Sequence, residues 1–141
     1  MNMNRNILII AAVLVVCAAI AIVFLPVVGP ANTEITTVST DKDLYHSNEL
    51  MKIIITINSA GNLDNATVRI EGIRDEYGMM RITHDMPVNL SPGPNIFFYE
   101  YQLPSCSKCS GLGEGTYPVN VTLLRNGVPL STMTRSVELK Q

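Results

Sequence analysis

The sequence has little charge, no tryptophan and few cysteines, and each scarcity excludes a class of protein. Charged residues make up 16% of the 141 residues, and the formal net charge is −2. This is too little charge for a disordered acidic or basic tail, and no basic surface is available to bind nucleic acid. Three cysteines are too few for a small disulfide-dense scaffold.

One long apolar run lies near the N-terminus. Every residue from 7 to 28 is apolar, and Pro26 lies near the end of the run. A helix of about 20 such residues crosses the hydrocarbon core of a membrane. The run therefore predicts one N-terminal transmembrane helix. We favour an uncleaved signal anchor over a cleaved signal peptide, because the apolar region of a signal peptide is usually only about 7–15 residues long.

The charges on either side of this run predict its orientation. Arg5 precedes the run, whereas Glu34 and Asp41 follow it. The positive-inside rule then places the N-terminus in the cytoplasm and the rest of the chain outside it, at the cell membrane. We expect four segments: a cytoplasmic N-terminus (1–6), a membrane segment (7–28), a linker (29–34) and an extracytoplasmic domain (35–141).

The predicted domain alternates between apolar and polar residues, as half-buried β-strands do. The expected strands are 35–40, 51–58, 66–71, 79–89, 95–103, 117–123 and 129–139. No stretch of the domain has a convincing helical period. Seven short strands joined by turn residues predict an all-β fold, a seven-stranded antiparallel immunoglobulin (Ig)-like β-sandwich, with a barrel as the alternative.

Several turns and one tyrosine support this interpretation. Asn126-Gly127 between apolar strands is a strong signal for a type I′ hairpin. Residues 75–78, Asp-Glu-Tyr-Gly, predict a hairpin tip with solvated carboxylates. Tyr117 at the start of a late strand fits either a tyrosine corner or an ordinary core tyrosine.

Cys106 and Cys109 are the conspicuous chemical feature of the domain. We favour a small structural disulfide between them, since cysteines this close in a turn can reach the required Cα separation and the domain is predicted to lie outside the cytoplasm. A redox or zinc-binding role of the pair is the alternative. A thioredoxin-like site needs a helix that the pattern lacks, and zinc needs two further ligands, for which His46 and His84 are the candidates.

Three asparagines begin the Asn-x-Ser/Thr tripeptide that accepts N-linked glycans, namely Asn65, Asn89 and Asn120. Pro92, directly after the second tripeptide, makes Asn89 the least favourable of them. Chance is the alternative explanation, because such tripeptides are common in β-proteins rich in Asn and Thr.

A contact surface is predicted from one aromatic strand and one loop. In the strand, Phe97, Tyr99 and Tyr101 are assigned to the core, so alternate residues point outward. Cover by a neighbouring strand or loop is the alternative. The last strand, up to Leu139, is expected at a sheet edge, where a partner strand can add. The candidate contact residues are Ile96, Phe98, Ser110, Gly111, Leu112 and Gly113.

No catalytic constellation, metal site or cofactor motif is found in the sequence. It has no Gly-x-Ser-x-Gly motif and no phosphate-cradling glycine loop. The sequence therefore predicts a non-catalytic protein with a binding or structural role at the cell envelope, whose partner is an envelope protein or a glycan. A second alternative is a subunit of a self-assembling surface filament, joined by strand exchange at the last strand.

Residues 40–50, Thr-Asp-Lys-Asp-Leu-Tyr-His-Ser-Asn-Glu-Leu, resemble the opening of Ig-like sandwiches of the macroglobulin and bacterial or archaeal surface-protein type. Those sandwiches often have Pro-Gly where this chain has Ser47-Asn48. Residues 115–127 resemble their closing hairpin. With its N-terminal anchor, the chain is similar to small archaeal envelope proteins of unknown function. The resemblance implies an Ig-like fold and a surface location, and it transfers no catalytic residue.

Overall fold

The computed structural model describes residues 32–105 and 108–141. The predicted cytoplasmic N-terminus, the membrane segment and the first linker residues lie outside this part. Among the described residues, no helix is long and apolar enough to cross a membrane. The described elements are a short 3-10 helix at Lys108–Ser110 and the strands β1 (Glu34–Thr40), β2 (Leu44–His46), β3 (Leu50–Ser59), β4 (Leu63–Arg74), β5 (Met80–Leu90), β6 (Gly93–Gln102), β7 (Gly115–Arg125) and β8 (Val128–Lys140).

The strands form two sheets around one core. One sheet has three strands in the order β1-β3-β6, and the other has five in the order β2-β8-β7-β4-β5. Buried residues from both sheets belong to one hydrophobic cluster. The predicted all-β sandwich is therefore confirmed.

Two details of the predicted topology are wrong. The first error is a missed strand, because the described part of the chain has eight strands rather than seven. The missed strand β2 pairs with β8 in parallel, with Leu44 opposite Glu138 and His46 opposite Lys140. The second error concerns β8, which lies between β2 and β7 instead of at an outer edge. Both errors have one cause, because three residues are too few to show an alternating pattern.

The core follows the alternation of the sequence. In β3, Met51, Ile53, Ile55 and Ile57 are fully buried. The other sheet contributes fully buried residues from β4 and β7 to the same core, namely Val68, Ile70, Val119 and Val121. Successive side chains of a strand point to opposite faces, so each strand supplies one row to this core and one row to the surface.

The turn at residues 126–127 takes the expected form, and a hydrogen bond distinguishes between the two alternatives for Tyr117. Asn126 and Gly127 have φ angles of 51° and 79°, which is the positive pair that a type I′ turn requires. The Tyr117 hydroxyl donates a hydrogen bond to the Gly113 carbonyl over 2.8 Å. A hydrogen bond from a tyrosine hydroxyl to the backbone a few residues upstream is the mark of a tyrosine corner, so Tyr117 forms a tyrosine corner. The bond fixes where the loop enters β7.

Candidate functional site

The outer face of the five-stranded sheet is polar. Two of its contacts are the Arg69–Asp85 ion pair at 2.8 Å and the hydrogen bond from Thr134 to Asn120 at 2.7 Å. A face of this composition is well hydrated and offers little apolar area to a partner. Its side chains include Thr67, Arg69, Glu71, Thr83, Asp85, Asn120, Thr122, Thr132 and Thr134.

The outer face of the three-stranded sheet is different, because apolar side chains of its edge strand β6 and of the adjacent β3 lie on it. Ile96 and Phe98 on β6 are 58% and 54% exposed, and Phe98 lies opposite the half-buried Ile54 of β3. The Lys52 ammonium lies 4.6 Å from the centre of the Phe98 ring. We call Ile54, Ile96 and Phe98 the apolar face. The expected outward orientation of Ile96 and Phe98 is what the structure has, and no described element covers them.

The inner side of β6 faces the core and the neighbouring edge strand. Phe97, Tyr99 and Tyr101 pack against the buried cluster. The Tyr99 ring stacks on His84 of β5 with the ring centres 4.6 Å apart. Burial raises the pKa of the Tyr101 hydroxyl. His84 is therefore a packing residue at the open side of the sandwich.

The described residues contain no group of three or more His, Cys, Asp or Glu side chains that could hold a metal ion. His46 lies at the end of β2, where its backbone N–H donates to the Glu49 carboxylate over 2.9 Å. Cys109 is a disulfide-bonded cysteine, whereas Cys106 lies outside the described residues. The predicted pairing of the two cysteines therefore stays a prediction.

In the loop between β6 and β7, part of the predicted contact surface is wrong. Leu112 is fully buried and belongs to the hydrophobic core, so it is not available to a partner. Gly111 is also buried, Ser110 is half-buried and Gly113 is exposed. Sequence reasoning failed at Leu112 because its neighbouring glycines and serine suggested a solvated loop, while the chain turns inward there to close the end of the sandwich.

The tip of the β4–β5 hairpin packs against this loop. The expectation of solvated carboxylates agrees with the exposed Glu76 but is wrong for Asp75. The Asp75 side chain is fully buried, and Arg81 Nη2 lies 2.8 Å from Asp75 Oδ2. Asp75 Oδ1 accepts hydrogen bonds from the N–H groups of Tyr77 and Met79, at 3.0 and 2.8 Å. Arg81 also donates to the Ser110 carbonyl. One arginine thus joins the hairpin to the loop.

Gly111 fits beneath the Tyr77 ring, and a larger residue does not. A Cβ atom at Gly111 would lie 2.5 Å from Tyr77 Cε2, and the φ angle of +73° also favours glycine. The Gly111 carbonyl accepts a hydrogen bond from the Glu76 N–H over 3.0 Å. These contacts make the hairpin tip and the loop one packed unit at this end of the sandwich.

The motif at residues 41–45 has a structural role that the sequence did not reveal. The fully buried Tyr45 donates a 2.6 Å hydrogen bond to Asp41 Oδ1, and the Lys52 N–H donates to the same oxygen over 2.8 Å. The hydrogen bond from Tyr45 lowers the pKa of Asp41. Burial, together with this bond, raises the pKa of Tyr45 to about 12. The motif therefore ties the segment after β1 to β3.

Two of the three candidate glycosylation positions lie side by side. The Asn65 N–H donates to the Asn89 side-chain oxygen over 3.1 Å, next to the register shift between Leu63 and Ala66. Asn120 accepts a hydrogen bond from Thr134 on the polar face. All three lie on the five-stranded sheet, away from the apolar face, and their glycosylation stays a prediction.

The chain is similar in fold to parts of several solved structures. A cycloisomaltooligosaccharide glucanotransferase of Paenibacillus sp. superposes with a TM-score of 0.59 and 13% identity, over 77% of this chain and 14% of that one. The alkylpurine DNA glycosylase AlkC of Pseudomonas fluorescens gives 0.58 and 15%, over 79% and 31%. The C-terminal domain of wzt gives 0.51 and 10%, over 74% and 70%.

These likenesses concern the fold alone, because the identities are low. The chain covers less than a third of the glycosylase and of the glucanotransferase, so their activities belong to much larger proteins. No family model matches the chain, and no curated protein matches it.

Proposed function

We propose that this protein is a non-catalytic binding module of the cell envelope. In this proposal residues 7–28 anchor the chain in the membrane, and the sandwich lies on the extracytoplasmic side. The sandwich presents the apolar face to a protein partner. The aliphatic side chains of Ile54 and Ile96 support a protein rather than a glycan, because a glycan site combines an aromatic ring with groups that hydrogen-bond to sugar hydroxyls.

The contrast between the two outer faces carries this proposal. Both faces belong to β-sheets of the same sandwich. The five-stranded sheet is covered by Thr, Asn and ion pairs, and its exposed apolar residues Val128 and Leu130 lie at the start of β8. The three-stranded sheet presents Ile96 and Phe98 at more than half exposure in the middle of β6. An exposed apolar patch rimmed by polar residues is typical of a protein-binding surface. Lys52 and Glu100, whose charged atoms are 3.9 Å apart, lie at one end of the patch and form such a rim.

The proposal excludes a site built on catalytic or redox groups. The His84 ring stacks on Tyr99, and His46 is an exposed residue whose backbone N–H bonds to Glu49. The loop that contains Cys109 packs against the β4–β5 hairpin through Ser110 and Gly111. A disulfide in that loop would stabilise the end of the sandwich, which is a structural role. Gly113 is the candidate loop residue that stays exposed, so the loop adds little contact area.

Cross-linking of the full chain in native membranes tests the proposal. The variant Ile96→Thr/Phe98→Thr keeps strand-forming side chains and removes the apolar area. We expect the amount of cross-linked partner to fall at least about tenfold, since central apolar contacts commonly contribute more than 1 kcal/mol each. The matched control is Val128→Thr/Leu130→Thr, which changes two other exposed apolar residues, 61% and 44% exposed.

The control should retain the partner at the wild-type level. Equal capture by both variants and the wild type would exclude the apolar face as the binding surface. Release of the partner by free oligosaccharide would show that the partner is a glycan rather than a protein.

A further inference from the structure

Among the edge strands of the two sheets, β6 is the least protected against pairing with another strand. Natural edges are commonly shortened, bulged, charged or interrupted by proline. In this chain β2 has three residues, β1 has a register shift between Ile35 and Thr37, and β5 has Asp85 and Pro87 near its middle. By contrast, β6 pairs with β3 over ten residues without a shift.

The central five residues of β6 contain no charge and no proline. They are Asn95, Ile96, Phe97, Phe98 and Tyr99. Pro94 and Glu100 lie on either side of them. Within the part of the chain that the structure describes, no strand pairs with the outer edge of this segment. That edge is adjacent to the apolar face, so a strand added here gains both ladder hydrogen bonds and cross-strand apolar contacts.

We propose that the partner is a second copy of this chain, which pairs its β6 with β6 of the first copy in antiparallel fashion. The inference rests on the proposed function, because it names the partner that the apolar face binds. The pairing is related by a two-fold axis, as in most homodimers. It joins the two three-stranded sheets into one continuous sheet in the order β1-β3-β6-β6-β3-β1.

The residue pattern of β6 is self-complementary in one register. With the two-fold axis beside Phe97, Ile96 of each copy lies directly opposite Phe98 of the other. An aromatic residue opposite a β-branched one is a favourable cross-strand pair, and the axis generates this pair twice. An axis beside Phe98 would place Ile96 opposite Glu100, so that a carboxylate faces an aliphatic side chain. The pattern therefore favours the axis beside Phe97, which keeps Glu100 opposite Pro94 at the ends of the interface.

Charge substitution with complementary rescue tests the pairing in the full chain in mild detergent. The variant Ile96→Lys/Phe98→Lys places lysines opposite lysines across the two-fold axis, and Ile96→Glu/Phe98→Glu places glutamates opposite glutamates. Both substituted side chains, Ile96 and Phe98, are solvent-exposed in the single chain. We expect the wild type to be dimeric and each variant alone to be monomeric. The two variants co-expressed with different tags should co-purify as a mixed dimer.

The control variant Val128→Lys/Leu130→Lys adds the same charge on another surface and should stay dimeric. Circular dichroism and thermal melting check that every variant is folded. A monomeric wild type that still cross-links to a different protein in membranes would overturn the second-copy inference and leave the proposed function intact. Variants that dimerise as the wild type does, or a failure of the mixed pair to associate, would overturn the β6 pairing. A wild type without any partner would refute the proposed function as well.

Discussion

The guanidinium of Arg81 lies 2.8 Å from the fully buried carboxylate of Asp75 and also donates to the carbonyl of Ser110. Asp75 begins the tip of the β4–β5 hairpin, and Ser110 belongs to the loop before β7. The Arg81 side chain therefore neutralises the buried charge and connects the hairpin to Ser110, which is 29 residues from Arg81 in the chain. This pair accounts for the burial of an acidic residue at a turn.

Removal of the arginine should destabilise the sandwich. In Arg81→Met, the Asp75 carboxylate is left buried without its cation, which costs about 3–5 kcal/mol for fully buried pairs. Arg81 is 30% exposed, so water screens part of the effect and we expect about 2 kcal/mol. The free energy of urea unfolding measures this loss. Asp75→Asn in the same background should restore part of it, because the asparagine oxygen still accepts the turn hydrogen bonds.

The exposed Arg69–Asp85 pair provides the control for this prediction. Its atoms are also 2.8 Å apart, but both side chains are well exposed, at 43% and 50%. Arg69→Met should therefore leave the stability near that of the wild type. An equal loss in Arg69→Met and Arg81→Met would show that burial of Asp75 does not determine the effect.

Substitution of Gly111 should separate the hairpin tip from the loop. Gly111→Ala places a methyl group 2.5 Å from the Tyr77 ring and forces a φ of +73° on a residue with a side chain. We expect a loss of about 1–3 kcal/mol and faster hydrogen exchange of the Glu76 amide, which donates to the Gly111 carbonyl. Gly113→Ala is the control, because it meets nothing within 4 Å. Unchanged exchange at Glu76 in Gly111→Ala would contradict the packing of the tip on the loop.

Local signals of the sequence were sufficient to predict most of the sandwich. The alternating isoleucines of β3 and the Asn126-Gly127 turn depend on neighbouring residues alone, and both predictions agree with the structure. The outward orientation of Ile96 and Phe98 follows from the same two-residue period. The apolar face was therefore predictable, although its exposure depends on which strands neighbour β6.

The features that the sequence did not predict depend on long-range contacts. β2 exists because three residues pair with the distant end of β8. Asp75 is buried because Arg81 and the loop before β7 enclose it. Leu112 is a core residue although its neighbours suggest a solvated loop. In each case the residue's environment is created by a segment far away in the chain, and no local pattern records it.

Removal of the Tyr45 hydroxyl tests the role of the motif at residues 41–45. Tyr45→Phe keeps the buried ring but removes the 2.6 Å hydrogen bond to Asp41. A hydrogen bond to a charged group contributes about 1.5–3 kcal/mol. Because Asp41 stays near solvent and keeps its bond to the Lys52 N–H, we expect a loss of about 1–2 kcal/mol in urea unfolding. A variant as stable as the wild type would show that the ring alone, through its packing, provides the contribution of Tyr45.

The same hydrogen bond predicts how stability depends on pH at the acidic end. The pKa of Asp41 is lowered from 3.8, first by the Tyr45 hydroxyl and then by the Lys52 N–H. A lowered pKa stabilises the fold above the unfolded value, and this stabilisation is lost as the pH falls through the folded pKa. The stability difference between the wild type and Asp41→Asn should therefore shrink below pH 3.8. A difference that stays constant on acidification would contradict the prediction.

At the alkaline end the sign is reversed, because the pKa of Tyr45 is raised from 10.0 to about 12, mainly by burial and then by the bond to Asp41. The neutral phenol is retained longer in the folded chain than in the unfolded chain. Its contribution is therefore complete below pH 10.0 and is lost as the pH rises towards about 12. Urea unfolding across this range should show a decline that is reduced in Tyr45→Phe. Tyr77→Phe is the control, since Tyr77 is 69% exposed, and it should keep most of the decline. An equal decline in wild type and Tyr45→Phe would assign the alkaline transition to other groups.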